Sequence, residues 1–566
     1  MTLRLAALAQ RRALRLALTL WLLSIVLVSA KELPTRTGTP KGKPNLTLFS
    51  HSENCMACHN NLITPSGEDV SIGATWRSTM MANSARDPYW QAGVRRETMD
   101  HPTHSAAIQD ECAGCHMPMA TRIAREGGGR GEVFAHLPLA PSPSPSVSAR
   151  QSTHTELRRL AADGVSCSVC HQISKEHLGT RESFNGGFVI EPTPDSGVRP
   201  IFGPYRVDAG RKTIMRSVSG FAQEEAPHIR QSELCATCHT LITTALGPNG
   251  QVVGSLPEQM NYQEWRHSDF PREERSCQSC HMPAVAGPIR AASVLGDTRD
   301  SLARHVFVGG NAFMVRLLNR YRHELGVMAL PSELEATANA TIRQLQRDTA
   351  ELTLSKPTLV ANILAFDVDI RNLTGHKLPT GYPSRRLWLH VTVKNERGER
   401  VFESGAFNSA GSIAGNDNDT DAPRFEPHYD EISAPDQVQI YESILGDVNG
   451  AVTTGLLNAT QYLKDNRLLP RGFDKATAPA EIGVFGHAKA DADFEGGGDR
   501  VRYRVPVTVS GPLTIEVELR YQTIAYRWAR NLEHYDAPEP RRFLSYYSAT
   551  AEGSSVIVAA ARFVLP

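Results

Sequence analysis

No charge of either sign is in excess in this chain: Lys and Arg number 60, and Asp and Glu number 60. A broad basic surface for nucleic acid is therefore excluded. Aromatic residues are only 7%, beside 41% hydrophobic and 21% charged residues, an ordinary globular mix that argues against wholesale disorder. The chain has no G-x-G-x-x-G, no P-loop and no G-x-S-x-G, which removes the dinucleotide, nucleotide and serine-hydrolase readings. Beyond residue 28 no apolar run is long enough to span a bilayer. No cysteine stands alone, and that shapes everything below.

The N-terminus reads as a secretory signal peptide. Arg4, Arg11, Arg12 and Arg15 precede an apolar run from Leu16 to Val28, and Val28-Ser29-Ala30 is a small-residue cleavage site. The competing reading is an uncleaved anchor, which the 13-residue run is short for. Removing residues 1–30 leaves 56 basic against 60 acidic residues. The expected localisation is the periplasm, the cell surface or the exterior.

All ten cysteines fall in five C-x-x-C-H pentapeptides. The first is Cys55, Cys58 and His59; the second Cys112, Cys115 and His116; the third Cys167, Cys170 and His171. The fourth is Cys235, Cys238 and His239, and the fifth Cys277, Cys280 and His281. This is the attachment signature of c-type haem. Two thiols form thioethers with the haem vinyl groups, and the adjacent His ligates iron. A disulfide framework suits short secreted chains and does not call for His after every second Cys. Zinc sites pair C-x-x-C units, and five is odd. The expected cofactors are five haem c. First cysteines of successive motifs are 57, 55, 68 and 42 residues apart. That is too little chain for five separate hydrophobic cores, so the haems themselves form the core and lie close together.

The sixth iron position decides the function. A second His or a Met closes it and gives a carrier; an open position admits substrate. Fifteen histidines lie outside the motifs, nine of them between residues 31 and 310. His104, His136, His228, His305 and His376 are the candidate distal ligands. His305 stands beside Gly309-Gly310, which allow close backbone approach to a flat ring, and His376 lies in Thr374-Gly-His-Lys-Leu-Pro-Thr-Gly381. Trp76-x-x-Thr79-x-Met81 echoes Trp265-x-x-Ser268-x-Phe270. Met81 is an alternative distal ligand, against a plain packing role for Met80 and Met81.

Residues 45–310 resemble the multihaem c-type cytochromes of the c-552/c-554 class. The resemblance is carried by Cys112-Ala-Gly-Cys-His-Met-Pro118, Gly164-Val-Ser-Cys-Ser-Val-Cys-His171, Ser232-Glu-Leu-Cys-Ala-Thr-Cys-His-Thr240, Cys277-Gln-Ser-Cys-His-Met-Pro283 and the segment around His305. It implies covalent haem c, mostly His/His ligation and export-dependent maturation. Related five-haem nitrite reductases use a C-x-x-C-K motif, and hydroxylamine-oxidising relatives carry eight haems. This chain has neither, which weighs against both activities.

The expected fold class is α+β and multidomain. A polar lead covers 31–45, a mostly helical and irregular pentahaem cytochrome c domain 46–310, and a helical connector 311–350. A β-sandwich of immunoglobulin-like type covers 351–566. Gly127-Gly-Gly129 and Ala140 to Ser146 mark a spacer loop. Ser332-x-x-Glu335 reads as a capping box, with Leu334, Ala338, Ile342 and Leu345 at helical spacing. Period-two runs at 364–370, 387–393, 501–507, 513–521 and 556–564 read as strands, Pro506 suggesting an edge. A helical insert is expected around 454–465. Asp417-Asn-Asp-Thr-Asp421 reads as a solvated turn, because Ala422 and His428 fail the EF-hand pattern.

These readings favour an electron carrier over an enzyme. The expected partners are other cytochromes or quinol-linked donors, with self-assembly a further expectation and no nucleic acid or membrane span. The alternative is an oxidoreductase acting on a small nitrogen or sulfur compound at one open haem.

Overall fold

A computed structural model describes residues 45–139, 153–192, 197–508 and 511–566. The expected signal peptide, the polar lead up to residue 44 and the Pro/Ser stretch at 140–146 lie outside the described residues. The fold is mixed α+β, with many helices and several antiparallel sheets.

Up to about residue 310 the chain is a succession of short helices, loops and two-stranded sheets. Each cysteine motif lies in or leaves a helix: α1 (Ser52–Met56), α2 (Ser105–His116), α3 (Cys167–Cys170), α4 (Ser232–His239) and α5 (Cys277–His281). Helical spacing puts residues three and four apart on one side. The two cysteines and the histidine of a motif therefore share a face. Apolar clusters here are small. One gathers Leu48, Phe49, Met119, Ile123, Leu160 and Val165, with Cys170 and Cys238 packed against it.

The connector forms α6 (Pro331–Asp348), burying Leu334, Ala338, Thr341 and Leu345. Its cap differs from the expected box. Pro331 occupies the first turn, and Glu333 rather than Glu335 turns back, accepting from Leu330 N–H at 2.9 Å. Glu333 also accepts from Arg77 Nε at 2.8 Å, which fastens the connector to the residues after the first motif.

The C-terminal part is built on two five-stranded sheets. One runs β4 (Arg400–Ser404), β3 (Arg386–Lys394), β6 (Leu513–Gln522), β7 (Ser555–Leu565), with Ile440–Tyr441 also paired to β3. The other joins β1 (Ala350–Leu354), β2 (Ile363–Asn372) and β5 (Gly498–Pro506), flanked by Thr358–Val360 and Glu431–Ile432. Leu364, Phe366, Val368 and Ile370 of β2 share one core with Leu389, Val391 and Val393 of β3, Val501 of β5 and Val517 of β6. Alternation turns the neighbours on β2, β5 and β6 away from this core, whereas the second face of β3 is covered too, with Trp388 buried beside Ile413, Val438 and Ile440. Pro506 pairs with Ile363 on one side, while the two-residue strand on the other side meets only Arg502 and Tyr503, so proline sits at an unpaired margin.

Two expectations need correction. Residues 454–465 hold no helix; Ala459–Asp465 is a strand paired with Ser443–Asp447. Thr460 and Tyr462 favour the pleated form, and cross-strand pairing decides. The helical insertion lies instead between β6 and β7, at Tyr526–Arg530 and Pro538–Ser548. Nor is the acidic run a solvated turn. Asp419 is buried and accepts two bonds from Arg386, at 2.8 and 2.9 Å.

Candidate functional site

The five motifs converge. The thiols of Cys55 and Cys167 lie close enough to shift one another's ionisation, as do those of Cys115 and Cys238, and those of Cys235 and Cys277. Cys170 and Cys238 pack against one apolar cluster. Motif one thus touches motif three, and motif four adjoins motifs two, three and five. None of the ten cysteines is in a disulfide. Burial raises several of them, Cys170 to about 12.

Convergence does not extend to the second cysteine of the outer two motifs. Cys58 and Cys280 take no part in the thiol pairs, and each is held within its own surroundings instead. Ser293 donates to Cys58 O twice, from N–H at 2.8 Å and from Oγ at 3.0 Å. Cys280 Sγ lies 3.7 Å from Arg275 Nη2 and 3.9 Å from Ser279 Oγ. Both are half-buried, and what marks them as attachment points is their place in the pentapeptide.

Four of the five motif histidines have a defined tautomer. Nδ1 of His59 bonds to Ala291 O at 2.7 Å, that of His116 to Ser84 O at 3.1 Å, and that of His171 to Phe202 O at 2.6 Å. Nδ1 of His281 bonds to Val308 O. A carbonyl can only accept, so Nδ1 carries the proton and Nε2 keeps its lone pair. A metal-binding histidine is oriented in this way. His116 is further steadied by Trp90, whose ring lies 4.3 Å from it and 4° from parallel. Burial pushes His116 and His239 down to about 4, so both rings are neutral.

Two motif histidines face a second histidine. His171 and His305 have ring centres 6.4 Å apart and planes 20° apart; His281 and His376 are 6.3 Å and 12° apart. Nδ1 of His305 bonds to Ala303 O at 3.0 Å and that of His376 to Lys377 O at 2.9 Å, leaving both Nε2 atoms as acceptors. Two metal–nitrogen bonds of about 2 Å, with roughly 1.2 Å from each nitrogen to its ring centre, place ring centres about 6.4 Å apart. The observed separations match that spacing, as does the 6.4 Å between His136 and His154. Burial holds His305 and His376 near 4.

The remaining candidates are placed differently. His136 is buried and faces His154 at 6.4 Å, but neither follows a cysteine pair, and Nδ1 of His136 has no partner among the described residues. His228 is buried with Nε2 bonded to Ile173 O at 2.8 Å, so that nitrogen is engaged. His104 has its Nδ1 3.1 Å from Thr103 Oγ1 and packs on the turn at Gly250. Met81 packs against the cluster containing Val165 and Val169. His101, one of the nine histidines between residues 31 and 310 but not among the five favoured ones, is buried with Nε2 unpartnered among the described residues. Its signal is only its place after a long helix.

A second cluster, His428, Asp491 and Asp499, has the composition of a metal site. Its protons argue otherwise. Gln439 Oε1 accepts from Tyr429 N–H at 2.9 Å, and Asn466 Oδ1 accepts from Glu442 N–H at 3.0 Å. Both amide NH2 groups must then donate to His428 Nδ1, at 2.9 and 3.1 Å. The ring proton is left on Nε2, donating to Asp491 Oδ2 at 2.9 Å. The lone pair a metal needs is already used, and the cluster is a closed hydrogen-bond network.

Among the described residues no helix is long and apolar enough to cross a membrane. No protein-family model and no curated protein matches the chain. A solved structure, that of a penta-heme cytochrome c552 from Thermochromatium tepidum, is similar to it at 16% identity and a TM-score of 0.49, covering 92% of this chain and 100% of that one.

Proposed function

We propose that this is an electron-transfer protein carrying five covalent haems c, held by the ten motif cysteines, with His59, His116, His171, His239 and His281 as proximal ligands. The haems, when bound, supply one-electron iron chemistry. The chain's own work is to fix five rings at short range and set their ligands. His305 and His376 are the distal ligands opposite His171 and His281. The observation that carries this is the pair of facing histidines at 6.4 and 6.3 Å with all four Nδ1 atoms tied to backbone carbonyls. Convergence of the five motifs supports electron passage between them. The domain reading is a haem domain over 46–310, a connector over 311–350 and an immunoglobulin-like β domain over 351–566. Residues 1–30 direct export, which places the protein in the periplasm or outside the cell beside redox partner proteins.

The test is haem quantification and intact mass of protein matured in a periplasm, followed by voltammetry. Five haems per chain and five one-electron waves are expected. Fewer than five attached haems with intact cysteines would sink the reading. Peptide mapping tells whether Cys58 and Cys280 carry thioethers like the other eight.

The second reading, an oxidoreductase acting on a small nitrogen or sulfur compound, draws on Arg385. Its charge acts on both His239 and His376, a setting suited to an anion. Ferric EPR with and without nitrite or hydroxylamine separates the two: a high-spin signal that changes on addition marks an enzyme.

A further inference from the structure

The C-terminal part does more than pack on itself. The loop between β2 and β3 leaves the sandwich and carries His376 to His281 of the fifth motif. Nothing local forces it there. Asn372 Nδ2 and Thr374 Oγ1 both donate to His376 O, at 2.9 Å each, which closes the turn. Gly375 then lies flat on the helix–turn holding the Trp265 segment. A Cβ at that position would meet Phe270 Cδ1 at 2.9 Å and Trp265 Cδ1 at 3.3 Å. Close approach of this kind requires glycine.

Four charged side chains bolt the loop down. Glu264, on the helix Asn261–Arg266, accepts at Oε2 from Lys377 N–H at 3.1 Å and from Thr380 Oγ1 at 2.5 Å. Lys377 Nζ donates to Asp465 Oδ2 at 2.7 Å and to Gly483 O at 2.8 Å. Arg467 grips Asp465 with two bonds, at 2.8 and 2.7 Å, and pairs with Glu264 Oε1 at 3.1 Å. The side chains of Glu264 and Lys377 are 0% exposed and that of Asp465 2%. Two acids and two bases balance, so no buried charge is left uncompensated. Such a network contributes geometry more than stability, because desolvation offsets most of the attraction.

We propose that the β region completes the fifth haem site, and that Glu264, Lys377, Asp465 and Arg467 are positioning residues holding the His376 loop at ligation distance from His281. This rests on the haem reading above. It assigns the C-terminal part a role inside a redox centre, as donor of one axial ligand.

The experiment uses the full haem-loaded chain, with ferric EPR, carbon monoxide binding to the reduced protein, and the haem count of each variant. His376→Gly is the reference: one haem in five becomes high-spin and binds carbon monoxide, and added imidazole restores low spin. Lys377→Met, Glu264→Gln and Gly375→Val are expected to reproduce that signature with the haem count unchanged. Val391→Ala in the sandwich core is the stability control and is expected to leave the spin state of every iron as in the wild type at a lower Tm. If His376→Gly changes no haem, the ligand assignment fails and the positioning claim with it. If His376→Gly opens one haem while Lys377→Met and Glu264→Gln do not, the ligand stands and the positioning claim is overturned. Opening of the same haem by Val391→Ala would also overturn it, since general loosening would then suffice.

Discussion

His171 and His305 face one another across 6.4 Å, from a one-turn helix and from an irregular loop far along the chain, and each fixes its own ring through a backbone carbonyl. If His305 ligates the haem of the third motif as proposed, replacing it by Met would keep a sixth ligand and raise the potential of that one haem, within the ~0.8 V range that axial ligation spans. Voltammetry is expected to move one wave upward and leave four in place. An unmoved set of waves would remove His305 from the ligand list.

Arg386 and Asp419 form a buried two-bond pair whose side chains are 1% and 3% exposed. Asp419→Ala leaves the guanidinium buried without its partner, at a cost of about 3–5 kcal/mol. The double change Arg386→Met with Asp419→Leu is expected to recover most of that loss. Urea midpoints of wild type, single and double variants test both statements; a single variant within ~0.5 kcal/mol of wild type would contradict them.

Asp499 gives the β region a pH dependence. Burial pushes its carboxyl up to about 7, against the hydrogen bond from Tyr441 that pulls it down. The folded state then binds a proton that the unfolded chain has already lost. Its contribution is full below about pH 4 and is lost as pH rises toward 7. Asp499→Asn removes this loss, so the variant's stability relative to wild type should climb between pH 5 and 7, by on the order of a few kcal/mol. Parallel urea curves at both pH values would refute the assignment.

Protein made without haem attachment is expected to lose its N-terminal half. The apolar clusters there are small, whereas the two sheets share one large core. Limited proteolysis of such protein should degrade the region of the cysteine motifs and leave a resistant fragment near 351–566. Equal resistance of both halves would show that the haems are not the core.

Much of this organisation is legible in the residues themselves. The period-two runs of β2, β5, β6 and β7 record a half-buried surface, and the i, i+3, i+4 pattern of each C-x-x-C-H run records one helical face. His305 and His376 stand out because glycines flank them, and the structure brings both to motif histidines. His104 and His228 have only nearness in sequence to a motif, which says nothing about where a ring points. The same limit hides Asp419, whose partner Arg386 is on a strand, and the strand at 459–465, whose hydrogen bonds come from 443–447. Long-range pairing leaves no local mark.

The contacts among the motifs have a consequence for current flow. The first and fifth motifs lie at the surface, where Ala57 and Ser279 are exposed, while Ala236 and Thr237 of the fourth are buried. The fourth adjoins three others, and the second joins the array through it. In circuit terms the chain is a line with a spur. Losing the second motif leaves the line from first to fifth unbroken; losing the fourth splits it into pieces. If the five motifs carry haems as proposed, an electron crossing from the first to the fifth would pass the fourth, and the second would lie off that route.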